Sequence, residues 1–275
     1  MTPGLRALTA ADIPALLALT EPDPVRHCFV ESRVGSGSLG GTDVWGYFSD
    51  SGRLDSAVLI GANVVPIESH PESRAAFADR LRRTGRRGSS LVGPADEVMA
   101  LWRHLAPSWG TAREVRDRQP LLAMAADSPV AADPDVRAVR SDEIDILVPA
   151  CIAMFTEEVG VSPVSGGSGA AYRARIAEII REGRAFARIE DGEVIFKAEV
   201  GAVSPRACQV QGVWVNPRLR GRGLAAPGMA AVVTLARRTC APHVSLYVND
   251  FNTPARKAYA KVGFAEVGSF ATVLF

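Results

Sequence analysis

The hydrophobic and polar positions of the chain form short alternating runs and amphipathic runs that follow one another in a regular order. CQVQGVWV (208–215) alternates and is rich in β-formers, which predicts a strand stopped at Asn216-Pro217, where proline cannot donate to the ladder. Beyond it Met229, Val232, Val233 and Ala236 recur at i, i+3, i+4 and i+7, one face of a helix that ends with Arg237 and Arg238 near its negative pole. SLYVND (245–250) predicts another strand. In FNTPARKAYAKVGF (251–264), Ala255, Ala258, Tyr259 and Val262 share the inward face of a short helix that opens at Thr253-Pro254 and closes at Gly263.

The pattern recurs along the chain. LRALTAADIPALLAL (5–19) and VRAVRSDEIDILVPA (136–150) align without a gap, each reading as a short strand, a polar cap and an amphipathic helix. SGRLDSAVLIGANVVP (51–66) then meets DGEVIFKAEVGAVSP (191–205), each a hairpin with a glycine turn. Two echoes in the same order point to a duplicated unit. Between the copies ADSPVAADPD (126–135) reads as an exposed linker, which divides the chain into 1–130 and 134–275.

Composition narrows the function classes. With 275 residues, 47% of them hydrophobic and 22% charged, the chain is long enough for two cores and unlike a disordered one. A net charge of +1 provides no overall field to gather nucleic acid or an anionic membrane, so any anion site is local. Cys28, Cys151, Cys208 and Cys240 lie far apart, without metal-ligand spacing, and read as buried thiols of a reducing compartment. The absence of a leader pattern and of a long apolar run makes a cytoplasmic location the expectation.

One corner stands out. NPRLRGRGL (216–224) joins the strand end to the helix start with three arginines and two glycines. The first turn of a helix leaves about four amides unpaired and carries roughly half a positive charge, so a phosphate fits there. Gly221 and Gly223 remove side chains that would hold an anion away, and Arg218, Arg220 and Arg222 add charge at the rim. GRGLAA also satisfies a dinucleotide pattern, but no Asp or Glu follows between 224 and 249 to hold a ribose, and the P-loop ending is missing. The N-terminal copy offers only the differently arranged RLRRTGRRGSSLVGPADEVMALW (80–102).

The corner resembles the signature of the GNAT superfamily of acyl-CoA-dependent N-acyltransferases, Gln/Arg-x-x-Gly-x-Gly/Ala, here Arg218-Leu219-Arg220-Gly221-Arg222-Gly223. The second block of that family is similar to Asn252, Ala255, Tyr259, Gly263 and Phe264. The resemblance implies an α/β (α+β) fold of two GNAT-like units in tandem, each a mixed, mostly antiparallel sheet flanked by helices. The C-terminal unit is complete, with a splayed strand pair, and the N-terminal one degenerate. It also implies acetyl-CoA as co-substrate, its pyrophosphate on the amides from Arg220 to Leu224, its pantetheine arm along the backbone of Val213 and Val215, and a hydrogen bond from Asn252. Pro227 lies early in the expected helix, at the limit of the first-turn allowance if the helix begins at Arg222 or Gly223.

Acyl transfer from a thioester to an amine needs a neutral amine, an oxyanion donor and a proton for the departing thiolate. In the family reading the Tyr259 hydroxyl donates to the CoA sulfur; in the plain one it is a core tyrosine. Gln209 and Gln211, on the strand before the corner, face the substrate where many relatives carry a carboxylate or histidine, and neither takes a proton. Glu199 is an acidic residue in an apolar strand, with Leu59 as its counterpart in the first copy; it collects the proton of the amine or pairs with Lys197 or an arginine. Glu157 and Glu158 stand where the acceptor wall is expected, and Tyr172, after the flexible VSGGSGAA, shapes the same cleft. The acceptor, a small-molecule or peptide amine, and the oligomeric state stay open, and no metal is expected. An acyl-CoA sensor that transfers nothing, and a tandem enzyme whose first half closes the acceptor site, are the competing readings.

Overall fold

The computed structural model describes residues 4–35 and 43–275. In chain order the elements are β1 (Gly4–Ala7), α1 (Ile13–Thr20), α2 (Cys28–Val34), β2 (Asp43–Phe48), β3 (Leu54–Ile60), β4 (Asn63–Ile67), α3 (Pro71–Thr84), β5 (Ser90–Pro94), α4 (Ala95–Trp109) and β6 (Glu114–Met124). The second copy runs β7 (Arg137–Ala138), α5 (Ile144–Val159), α6 (Gly169–Arg181), β8 (Ala185–Glu190), β9 (Glu193–Val203), β10 (Ala207–Val215), α7 (Ala225–Thr239), β11 (His243–Tyr247), α8 (Thr253–Val262) and β12 (Ala265–Leu274).

The residues form two compact units, 1–122 with 247–251 and 266–275, and 123–246 with 252–265. In the first, β1 to β4 are antiparallel neighbours, β4 and β5 run parallel from Asn63 opposite Ser90 to Val64 opposite Leu91, and β12 lies antiparallel to β5. The last strand of the chain therefore completes the sheet of the first unit, from Phe270 opposite Pro94 to Leu274 opposite Ser90. Its Ala271 and Val273 enter the same core as Phe77 and Leu81 of α3 and Val98, Leu101 and Leu105 of α4. The alternate residues of β3 and β4, Leu59 and Val65, point to the opposite face and pack with Leu16, Val30 and Val34 of α1 and α2.

In the second unit β7, β8, β9 and β10 are antiparallel neighbours, and β10 and β11 run parallel. One face of this sheet buries Leu147 and Cys151 of α5, Ile176 and Ile180 of α6, and Trp214 of β10. The apolar stripe expected on α7 is fully buried at Met229, Val232, Val233 and Ala236. Alternation along β9 places Phe196 under α7, where a Cβ on Gly228 would meet its ring at 2.8 Å, and Lys197 towards α5 and α6.

The duplication is visible in atoms as well as letters. Arg6 clasps Asp12 with both guanidinium nitrogens (2.9 and 2.7 Å), and Arg137 clasps Glu143 at the aligned positions (2.8 and 2.6 Å). In each copy the same carboxylate accepts from the amide three residues before it, Thr9 or Arg140, and so closes the turn that leads into the first helix. Both hairpin turns contain a glycine at positive φ, Gly52 and Gly192. The linker is mostly exposed as expected, with one exception. Asp133 is buried because Arg188 donates to it at 3.0 Å and its amide reaches the Pro227 carbonyl at 3.1 Å.

Candidate functional site

The parallel pairing of β10 and β11 extends only from Ala207 opposite His243 to Gln209 opposite Ser245, and then stops. β10 continues for six more residues without that neighbour, which is the expected splay. On its other side the register with β9 jumps from Gln211 opposite Glu199 to Trp214 opposite Lys197, so Gly212 and Val213 sit in a bulge, with Gly212 at φ +61. The backbone of Val213 is thus outside both ladders. The Val215 carbonyl, in contrast, accepts from Arg220 Nε at 3.2 Å.

After Val215 the chain makes a short turn at Pro217–Leu219, held by Asn216, whose Oδ1 accepts from the Arg218 amide at 3.2 Å. Gly221 and Gly223 both stand at φ +78, where L side chains are strained, and a Cβ at either would meet nothing within 4 Å. α7 begins only at Ala225, so Pro227 is its third residue and lies within the first turn, where a missing N–H is tolerated. No side chain caps this helix, and among the described residues the amides of Arg222, Gly223, Leu224 and Ala225 meet no acceptor. The open helix entrance is therefore present as a set of unpaired donors facing space.

The three arginines differ. Arg218 donates to Glu193 Oε2 at 2.5 Å, and Arg220 makes a two-bond fork with Glu157, 2.7 Å on each arm. Glu157, on the last turns of α5, is thereby held below the usual carboxylate range. Arg222 lines, with Arg218 and Leu219, a cleft of about 510 Å³ that is shared with the carboxylates of Glu190, Asp191 and Glu193.

On α8, Asn252 is the N-cap, its Oδ1 accepting from the Ala255 amide at 3.3 Å. Tyr259 is 7% exposed and edge-on to Phe264, with ring centroids 6.0 Å apart. Burial, and then the negative charge of Glu158, push its hydroxyl well above the ordinary phenol range, so it keeps its proton at any physiological pH.

The carboxylate of Glu199 is buried. Its Oε1 accepts from Gln211 Nε2 at 2.7 Å, and Oε2 lies 3.7 Å from Nζ of Lys197. Lys197 is 1% exposed and its ammonium has no hydrogen-bond partner. A Cβ on Gly212 would come within 3.1 Å of that ammonium, so the bulge brings backbone against the charged pair. Tyr172 on α6 donates to the Cys151 carbonyl at 3.2 Å, and burial raises both its hydroxyl and the Cys151 thiol. Gln209, also buried, is the last residue of β10 paired with β11. Of the residues read from the sequence, Arg220 meets Glu157 at the corner and Gln211 meets Glu199 on the strand face, whereas Asn252 contacts Ala255 and Tyr259 contacts Phe264. Gly212 escaped the reading, although a lone glycine in an alternating strand is the usual mark of a bulge.

Residues 157–264 match the acetyltransferase (GNAT) family, and residues 42–147 match a domain of unknown function, DUF4081. The second unit is GNAT-like across residues 157–264. Among solved structures the chain is similar to a GCN5-related N-acetyltransferase from Sphaerobacter thermophilus, 15% identical, with 99% of this chain and 95% of that one covered and a TM-score of 0.65. It is similar also to a tandem GNAT protein of the clavulanic acid biosynthesis pathway, 16% identical over 99% and 98% of the two chains, TM-score 0.60. A GNAT-family acetyltransferase from Colwellia psychrerythraea, 11% identical over 99% of each chain, gives a TM-score of 0.58. At these identities the likeness is one of fold, and it extends over both GNAT-like copies. No curated protein matches the sequence. Among the described residues no helix is long and apolar enough to cross a membrane.

Proposed function

We propose that the second unit transfers an acetyl group from acetyl-CoA to the amine of a small-molecule or peptide acceptor by direct attack. The observation that carries this reading is the uncapped entrance of α7, where four consecutive amides lack acceptors beside two glycines at positive φ. A diphosphate supplies the missing acceptors and the charge that the helix end favours. The strand-like arm of the coenzyme then runs along Val213, whose backbone pairs with neither β9 nor β11. For Val215 the Arg220 side chain has to release the carbonyl first.

Tyr259 is the proton donor to the departing thiolate, since burial keeps its proton in place. Glu199 is the carboxylate available to collect the proton of the amine, with Gln211 fixing one of its oxygens. Glu157, held in the fork with Arg220, and Glu158 stand at the end of α5, on the side where a cationic acceptor is expected. Release of free CoA thiol in the presence of a panel of amines tests the reading. Turnover is lost in Gly221→Glu through binding and in Tyr259→Phe through chemistry; turnover unchanged in both variants removes the site.

A further inference from the structure

The first unit contains a helix entrance of its own in the aligned place, after β4 and before α3. Only Glu68, Ser69 and His70 separate the two elements, against nine residues, 216–224, in the second unit. Two of the amides that an anion would use there are already engaged, while the hydroxyl of Ser69, itself 8% exposed, is buried without a partner. The Ser69 amide donates to Glu97 Oε2 at 2.6 Å, and the His70 amide to Ser73 Oγ at 3.0 Å. Pro71, the first helical residue, has no amide to offer, and the Glu72 carboxylate lies 2.8 Å from His70 Nδ1. Glu97, 2% exposed on the first turn of α4, also receives Arg26 Nη2 at 2.7 Å. Glu68 sits at φ +49 with its carboxylate 2.8 Å from His27 Nε2.

Three carboxylates thus surround the α3 entrance where three arginines surround that of α7. We propose that the α3 entrance is an anion site that the chain fills with its own Glu97 carboxylate, so that the first unit accepts no acyl-CoA and each chain binds one. The buried carboxylate, held by an amide and a guanidinium, provides the two contacts that a ligand oxyanion would otherwise make.

Chemical rescue tests the assignment without any coenzyme. Glu97→Ala is expected to melt lower than the wild type by about 5 °C or more, because it strips the acceptor from a buried amide and guanidinium. Acetate, formate or inorganic phosphate at tens of millimolar then recovers at least half of that loss, over and above any shift that the same salt gives the wild type through its open α7 entrance. A loss that none of the three anions repairs, or no loss at all, overturns the proposal. If the variant fails to fold, amide exchange in the wild type decides: Ser69 is protected by about 100-fold or more relative to Leu224, and equal exchange at the two positions defeats the assignment. Calorimetry with CoA provides a separate arm. One site per chain, abolished by Gly223→Asp, agrees; two sites, or residual binding in that variant, does not. Absence of CoA binding in the wild type removes the acetyl-transfer reading and leaves the rescue and exchange results to decide this one.

Discussion

The two copies have built the same scaffold around opposite chemistry. Where the second unit places Lys197 and Glu199 on its third strand, the aligned residues of the first are Ala57 and Leu59, both buried in ordinary apolar packing. The seventh residue of α8 is Tyr259, whereas the seventh residue of α4 is Leu101, fully buried. The first unit demonstrates that the fold is satisfied by hydrocarbon at these positions. A buried charged pair in the second unit is costly and does nothing for the scaffold that alanine and leucine do not do, so its retention speaks for a chemical use. The difference teaches which residues the architecture requires and which are additional to it.

The largest expected effect follows from the tyrosine. Tyr259→Phe is predicted to lower kcat by about 100-fold or more while the Kd for acetyl-CoA stays within about twofold, since only the proton donor is removed. A kcat close to that of the wild type makes Tyr259 a core residue, as Leu101 is in the other copy. Steady-state assays of free thiol together with calorimetry separate the two outcomes.

Next in size is a pair of double-mutant cycles on the forks at the two entrances. Arg26 and Glu97 meet with the carboxylate buried, while Arg220 and Glu157 meet in the open, with side chains 44% and 53% exposed. Thermal unfolding of the Arg26→Gln and Glu97→Gln cycle should yield a coupling of about 2 kcal/mol or more, and that of Arg220→Gln and Glu157→Gln less than about 1 kcal/mol. The weak fork is the one that has to open for Val215, so a coupling as strong as the buried one argues against its release on binding.

Much of this was legible from periodicity and local motifs. The buried stripe of α7 and the strand, cap and hairpin patterns inside each echo depend on residues a few positions apart, which a sequence states directly; the splayed strands followed from the family resemblance, and the capping role of Asn252 was not foreseen. Apart from the Gly212 bulge and the Asn252 cap, what escaped depends on partners far along the chain. Glu97 reaches an amide 28 residues away, and Arg220 finds Glu157 across 63 positions. The basic RRTGRRG stretch drew attention for its composition, yet it runs from the end of α3 to β5 and the entrance of the first unit lies upstream, at 68–70. The closing strand is a similar case: nothing local in 265–274 says that its last residues pair with Ser90 to Pro94.

The smallest effect tests the feature that the copies share. Asp12 and Glu143 close equivalent turns, and the arginine hydrogen bonds hold both below their ordinary ranges, Glu143 at about 2. A carboxylate depressed by folding contributes stability that is complete above its unfolded pKa, ordinarily near 4, and is lost as pH falls through the folded value. Glu143→Gln should therefore be less stable than the wild type at pH 6, by about 1 kcal/mol given the exposed guanidinium, and the gap should close as pH falls from about 4 through about 2. Asp12→Asn should leave a gap that persists further into acid, because its carboxyl lies lower still. Melting curves followed by circular dichroism across that range read both. A gap for Glu143→Gln that is the same at pH 2 as at pH 6 means that the carboxylate acts there through shape alone, and the two turns are then alike in form but not in electrostatics.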